Sequence, residues 1–238
     1  LVAHLTELRD RLLRAVLAIL IAALCLMPFA QEIYTFVAEP LLRYLPEGQS
    51  MIATEVASPF LAPFKLVLCA AFALAIPVIL HQIWGFIAPG LYQHEQRLAV
   101  PLLVSSVLLF YAGMAFAFYV VFPLVFSFFS SVAPEGVAYT PDISRFLDIV
   151  LKLFMAFGLA FEIPIATVLL ISAGIVSREK LAEKRPYVVV GCFVFGMLLT
   201  PPDVISQALL AIPMWMLFEM GLIFSRFVKP RPADEADA

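Results

Sequence analysis

The sequence predicts an all-α membrane protein with six transmembrane helices, and three observations carry that expectation. The 238 residues are 63% hydrophobic and only 14% charged, whereas a soluble domain usually carries about 25% charged residues. Mean hydropathy is +1.00, too high for a chain whose main solvent is water. The apolar residues are grouped in long runs, and about 20 of them in a helix cross the hydrocarbon core.

Read in order, the first span covers about residues 12–30, led in by Arg9, Arg11 and Arg14. Residues 31–58 form a polar stretch with Pro40, Pro46 and Gly48, expected to fold as short helices of a periplasmic cap. Within it, residues 51–60 are apolar enough to pack. The second span covers about 59–83 and the third about 98–126, with Pro89-Gly90 and His94-Glu95 in the connector between them. A loop marked by Pro134, Gly136 and Pro141 leads to the fourth span, about 146–173. The fifth and sixth, about 187–200 and 204–224, read as short. Tyr187 to Thr200 is 14 residues between prolines, roughly 21 Å of helix against about 30 Å of hydrocarbon. Val204 to Phe218 is 15 uncharged residues. A short pair can be met by bilayer thinning or by packing on partners; a re-entrant hairpin is the alternative. Residues 1–227 make one membrane domain and 228–238 a tail. No cleavable signal peptide is expected, because the first apolar run lacks a small-residue cleavage site.

Orientation follows from Lys and Arg in the connections. Eleven of the fifteen lie on the side of the N-terminal lead-in, Arg97, residues 178–185 and residues 226–231. That side is expected to be cytoplasmic, which puts both termini inside.

Much chemistry is missing. A net charge of −3 offers no basic excess for nucleic acid. There is no GxxxxGK[ST], HExxH or GxSxG pattern, so nucleotide hydrolysis, zinc proteolysis and a serine nucleophile elbow lack support. His4, His81 and His94 are scattered, and Cys25, Cys69 and Cys192 sit in apolar runs without ligand spacing. No metal, cofactor or catalytic residue is expected. Ser105 and Ser106 suit helix–helix hydrogen bonding better than catalysis.

Glu162 is the oddest residue, mid-way along the fourth span and two before Pro164. A carboxylate at mid-bilayer costs about 2.5–3.5 kcal/mol on insertion scales. It either hydrogen-bonds a neighbouring helix or serves a polar cavity or partner, and Pro164 favours a bend beside it. Glu7 and Glu95 lie in segments flanking the membrane. Each could be an ordinary solvated charge or could pair with a nearby Arg; together they would suit a cationic ligand, since carboxylates accept guanidinium bidentately.

These residues sit in motifs that are recognisable in order: His4-Leu5-Thr6-Glu7-Leu8-Arg9, Ala57-Ser58-Pro59-Phe60, Phe86-Ile87-Ala88-Pro89-Gly90-Leu91, His94-Glu95, Phe161-Glu162-Ile163-Pro164, Lys184-Arg185-Pro186-Tyr187 and Leu199-Thr200-Pro201-Pro202-Asp203. Along nearly its whole length the chain resembles the TatC family of the twin-arginine translocase. The resemblance implies a cupped arrangement of six helices with a concave face, in the inner membrane. It implies a receptor for paired-arginine signal peptides of folded proteins, with transport driven by the proton-motive force. The signal patch would fall on Glu7 and Glu95, with Leu8, Arg9 and Phe86 nearby. Glu162 would be the intramembrane acid. Gln207 would mark the edge where single-span TatA and TatB dock, and Pro40 a sensitive cap position. An oligomeric receptor complex is expected. The competing reading, a small-solute carrier using Glu162, would fit inverted repeats, and none is evident.

Overall fold

The structure, a computed structural model, describes residues 2–42, 51–87, 96–131, 140–199 and 204–227. Regular structure among them is helical, apart from one isolated parallel bridge between Ile52 and Asp142. The helices are α1 (Val2–Leu26), α2 (Ala30–Leu42), α3 (Ser58–Ile87), α4 (Gln96–Phe116), α5 (Phe122–Ser131), α6 (Ile143–Ala160), α7 (Ile163–Ser172), α8 (Arg178–Glu183), α9 (Arg185–Leu199) and α10 (Val204–Phe224). Among the described residues five helical runs are long and apolar enough to cross a membrane: Thr6–Glu39, Ser58–Phe86, Val100–Ser131, Ile143–Ser172 and Gln207–Phe224. Arg185–Leu199 is a shorter apolar helix.

Prolines explain where the long runs change pitch. Pro28 sits in a single 3-10 turn, Met27–Phe29, that joins α1 to α2 without ending the rod. The first span therefore continues through Gln31 and Glu32, where a loop was expected. Pro123 has no N–H and crowds the carbonyl four residues back. The preceding turn, Ala117–Val121, widens to π geometry, and the Phe122 N–H bonds the Ala117 carbonyl. Pro164 has the strongest effect. The helix stops at Ala160, Phe161 and Glu162 form a turn, and α7 starts with Pro164 in its first turn. The Glu162 N–H reaches back to Leu159 at 3.0 Å, a tighter turn than α-helix. At the far end of α7, Gly174 takes a positive φ of 68°. That lets the Ile175 and Val176 N–H groups fold back onto the Leu170 carbonyl.

The chain forms two compact units, one of Leu1–Ile87 with Met114–Met155, the other of Ala88–Gly113 with Ala156–Ala238. In the first, α1 lies along α3, and α2 packs on α3 and α5. Lipid offers no hydrophobic drive between helices, so close packing of small side chains has to hold them together. Ala22 of α1 and Ala62, Ala71 and Ala75 of α3 are buried accordingly. Leu12, Leu17, Leu20 and Leu24 on α1 stay exposed, as lipid-facing residues do. Phenylalanines join the other helices: Phe118 stacks on Phe36 at 5.1 Å and on Phe154 at 6.4 Å, and Phe122 meets Phe154 edge-on at 5.0 Å. In the second unit, α10 packs against α7 and α9. Its core comprises Ala160, Cys192, Ala211, Met214 and Leu217.

Residues 51–60 were expected to pack because they are apolar, and of them Ser58 is buried. Ile52 through Ala57 are instead exposed, and polar contacts tie the segment to α6. Ile52 N–H donates to the Pro141 carbonyl at 3.1 Å, and Ile143 N–H donates to the Ile52 carbonyl at 2.9 Å. The Asp142 carboxylate accepts from the Thr54 N–H and hydroxyl through one oxygen, at 2.9 and 2.7 Å. Through the other it caps α6, accepting from Ser144 and Arg145 N–H at 2.9 and 3.1 Å. Four donors, led by the Thr54 hydroxyl, hold this carboxyl at about 2, below the usual carboxylate range. With the folded value depressed, the clamp is complete above about pH 4. It is lost as pH falls towards about 2. Replacing Asp142 with Ala should cut hydrogen-exchange protection of the Ile52 and Thr54 amides by about tenfold, leaving the α3 interior protected. Unchanged protection would mean that the backbone bridge alone holds the segment.

Candidate functional site

The first candidate region is the start of α1 against the end of α3. Glu7 and Arg11 are one helical turn apart, so their side chains lie on one face. Arg11 donates from both Nε, at 3.0 Å, and Nη2 to the same oxygen, Oε1 of Glu7. No described residue bonds the other oxygen. The Glu7 side chain is 41% exposed and that of Arg11 22%. Arg11 reaches its place because α3 carries Gly85 there: a Cβ at position 85 would run into the Arg11 guanidinium. Arg9 is exposed and pairs with Asp10 at 2.9 Å, while Leu8 is exposed and Phe86 half-buried. Glu95 lies outside the described residues.

The second region surrounds Glu162, which the Pro164 break leaves in a turn rather than in a continuous helix. Its polar neighbour is the hydroxyl of Ser106, buried in α4. Close approach of α4 depends on Gly158, where a Cβ would stand 2.7 Å from the Phe110 ring. Glu162 Oε1 is buried and has no hydrogen-bond partner among the described residues. A stranded polar atom of this kind costs about 1–3 kcal/mol. Glu162 thus has a hydroxyl on a neighbouring helix beside it and one oxygen left open.

The third region is the α9–α10 pair. Gly196 faces the Gln207 backbone, its Cβ position lying 3.5 Å from the Gln207 carbonyl oxygen and 3.8 Å from Leu210 Cβ. Gln207 itself is half-buried. Only Cys192 and Gly196 of α9 are buried, and Tyr187, Val190, Val194, Met197 and Leu198 stay bare. Across the pair, Arg185 and Glu219 form a two-bond fork, Nε to Oε1 at 2.7 Å and Nη2 to Oε2 at 2.8 Å. The helix α10 runs past Glu219 to Phe224, 21 residues in all, longer than the short sixth span expected from the sequence. The uncharged part still ends at Phe218, whereas α9 is short outright at 15 residues.

Of the residues expected to matter, Glu7, Leu8 and Arg9 share one helix start, and Phe86 lies beside Gly85 in α3. Glu162 and Gln207 belong to the second unit without a described contact between them. Pro40 lies in α2, and its side chain is outside the described residues. Sequence reasoning missed the roles of Arg11, Gly85, Asp142 and the Arg185–Glu219 fork. The four-residue spacing of Glu7 and Arg11 was the one available signal; the others join residues far apart in sequence.

A family model described as Sec-independent protein translocase protein (TatC) matches residues 3–213. A Sec-independent protein translocase protein TatC from Azotobacter chroococcum mcd 1 is 65% identical over 231 residues, 97% of this chain and 91% of that protein. The protein of the same name from Escherichia coli strain K12 is 60% identical over 227 residues, 95% of this chain and 88% of that one. A crystal structure of a Twin Arginine Translocase Receptor, TatC, matches with a TM-score of 0.84 at 38% identity, covering 94% of this chain and 99% of that chain.

The Arg185–Glu219 fork generates a direct test. Removing either charge should lower thermal stability in detergent, and removing both should cost less than the two losses added. A double-mutant cycle should give a coupling of about 1 kcal/mol, the upper range for a partly exposed pair. Additive losses would mean that the fork contributes nothing to holding α9 on α10.

Proposed function

The chain belongs to the TatC family of Sec-independent protein translocase proteins, and from that premise we propose that it is the signal-receptor subunit of its translocase. It is a multi-pass membrane protein and a transport component rather than an enzyme. In this reading both termini face the cytoplasm and the membrane is the inner one, as the distribution of Lys and Arg favours. The arginines of a twin-arginine signal peptide engage Glu7, with Leu8, Arg9 and Phe86 contributing to the patch, and the family resemblance adds Glu95 as the second acid. The observation that carries this reading is the Glu7 carboxylate, half-exposed at a helix start with one oxygen unbonded by any described residue. A guanidinium is the donor that such an oxygen accepts best, because its rigid fork is weakly hydrated.

Recruitment of partners is assigned to the second unit. The unbonded Oε1 of Glu162 supports a polar contact from a TatA or TatB helix, since hydrocarbon supplies no donor. The bare outer face of α9 and the Gln207 end of α10 support a docking edge for those single-span helices. Several copies of the chain would assemble in the receptor complex, and the proton-motive force would drive transport of folded cargo.

Two substitutions separate the roles. Glu95→Ala, in a protein that still folds, should abolish crosslinking of a paired-arginine peptide; unchanged crosslinking would remove Glu95 from the signal site. Glu162→Ala should disturb crosslinks to the single-span partners more than signal binding. The reverse pattern would show the division of roles to be wrong.

A further inference from the structure

The Glu7 carboxylate already holds a guanidinium, and that guanidinium belongs to this chain. Arg11 places two donors on Glu7 Oε1, and its head group lies over Gly85 where any side chain would displace it. Its side chain is also the more buried of the pair. The adjacent charges are closed in the same way, since Arg9 is paired with Asp10. Residues 7–11 therefore carry no net charge, although they contain the acid that is to attract a cation. We propose that Arg11 is an internal stand-in for the signal's arginine, and that binding proceeds by exchange of one guanidinium for another on Glu7. This inference rests on the reading of Glu7 as a signal-binding acid.

Exchange gives a physical basis for choosing arginine over lysine. A carboxylate already holding two guanidinium donors gives up part of its attraction for any second cation. Both Arg11 donors converge on Oε1, so an incoming guanidinium can take the open oxygen in a planar arrangement, or span both oxygens as Arg11 leaves. A lysine ammonium is a compact, strongly hydrated point charge that cannot span both oxygens in this planar way. Arg11 thus raises the threshold for all cations, and raises it more for lysine. In this role Arg11 determines specificity through Glu7, and Gly85 is the seat that keeps it there.

Three variants of the full chain in nanodiscs test the exchange, with a paired-arginine and a paired-lysine signal peptide as probes. Arg11→Gln should tighten paired-arginine binding roughly two- to fivefold, the worth of a partly exposed ion pair. Paired-lysine binding should tighten more, so that the preference for arginine narrows. Gly85→Ala changes no charge and pushes only the tip of a flexible side chain, so it should move both affinities in the same direction by less. Weaker paired-arginine binding in Arg11→Gln would overturn the proposal, because Arg11 would then be supporting Glu7 rather than competing for it. An unchanged arginine-to-lysine preference in both variants would overturn it as well. Glu7→Gln separates this failure from failure of the underlying reading. If Glu7→Gln leaves both peptides bound as before, Glu7 is not a signal-binding acid and the exchange falls with it. If Glu7→Gln weakens binding while the Arg11 and Gly85 variants do not tighten it, only the exchange is wrong.

Discussion

Hydrocarbon offers no hydrogen bonds, so an acid buried within a span needs a partner from the protein. That constraint organises the structure. Glu7 is met by Arg11, Asp148 by Lys65 at 3.0 Å, and Glu219 by Arg185. In each case a cation from the same unit closes the charge. Glu162 differs: its described polar neighbour is a serine hydroxyl, and one of its oxygens is buried and unbonded. Lipid does not relieve such a group, whereas a polar side chain on another transmembrane helix does.

The prolines and the charges act together. Pro164 removes the hydrogen bond that would have carried the helix straight through Glu162, and the resulting turn sets the carboxyl group beside Ser106. Pro28 and Pro123 produce smaller changes, a 3-10 turn and a π turn, through which the helical rods continue. At the end of α10, the fork to Arg185 does for Glu219 what no described residue does for Glu162. It supplies a counter-charge to the carboxylate and links α10 to the short α9, of which only Cys192 and Gly196 are buried.

Much of the fold was legible because apolar runs long enough to span are hard to read any other way. The five long apolar runs, the short α9 and the break at Pro164 all follow from local composition. The continuation of the first span through α2 did not, because Gln31 and Glu32 read as a loop while the backbone stays helical around them. The ties at Asp142 and Arg185 were illegible for a different reason: they join residues 88 and 34 positions apart, and nothing local marks either partner. At the candidate site, Glu7 and Glu162 stood out by type and position. Pairing of Glu7 with a nearby Arg was foreseen, and the four-residue spacing points to Arg11; its seat was not, since that depends on the missing side chain at Gly85, on another helix. The family resemblance supplied what composition could not, namely the kind of ligand that two acids at this face would take.

The central claim is that the open oxygen of Glu162 receives a polar group from a partner helix. The most direct measurement is the infrared carboxyl stretch of Glu162, isolated as a difference against Glu162→Gln, in lipid with and without the single-span partners. The account predicts that the band shifts to lower frequency when a partner is added, as a new hydrogen bond forms at Oε1. A band that stays in place while the partner demonstrably binds would contradict it.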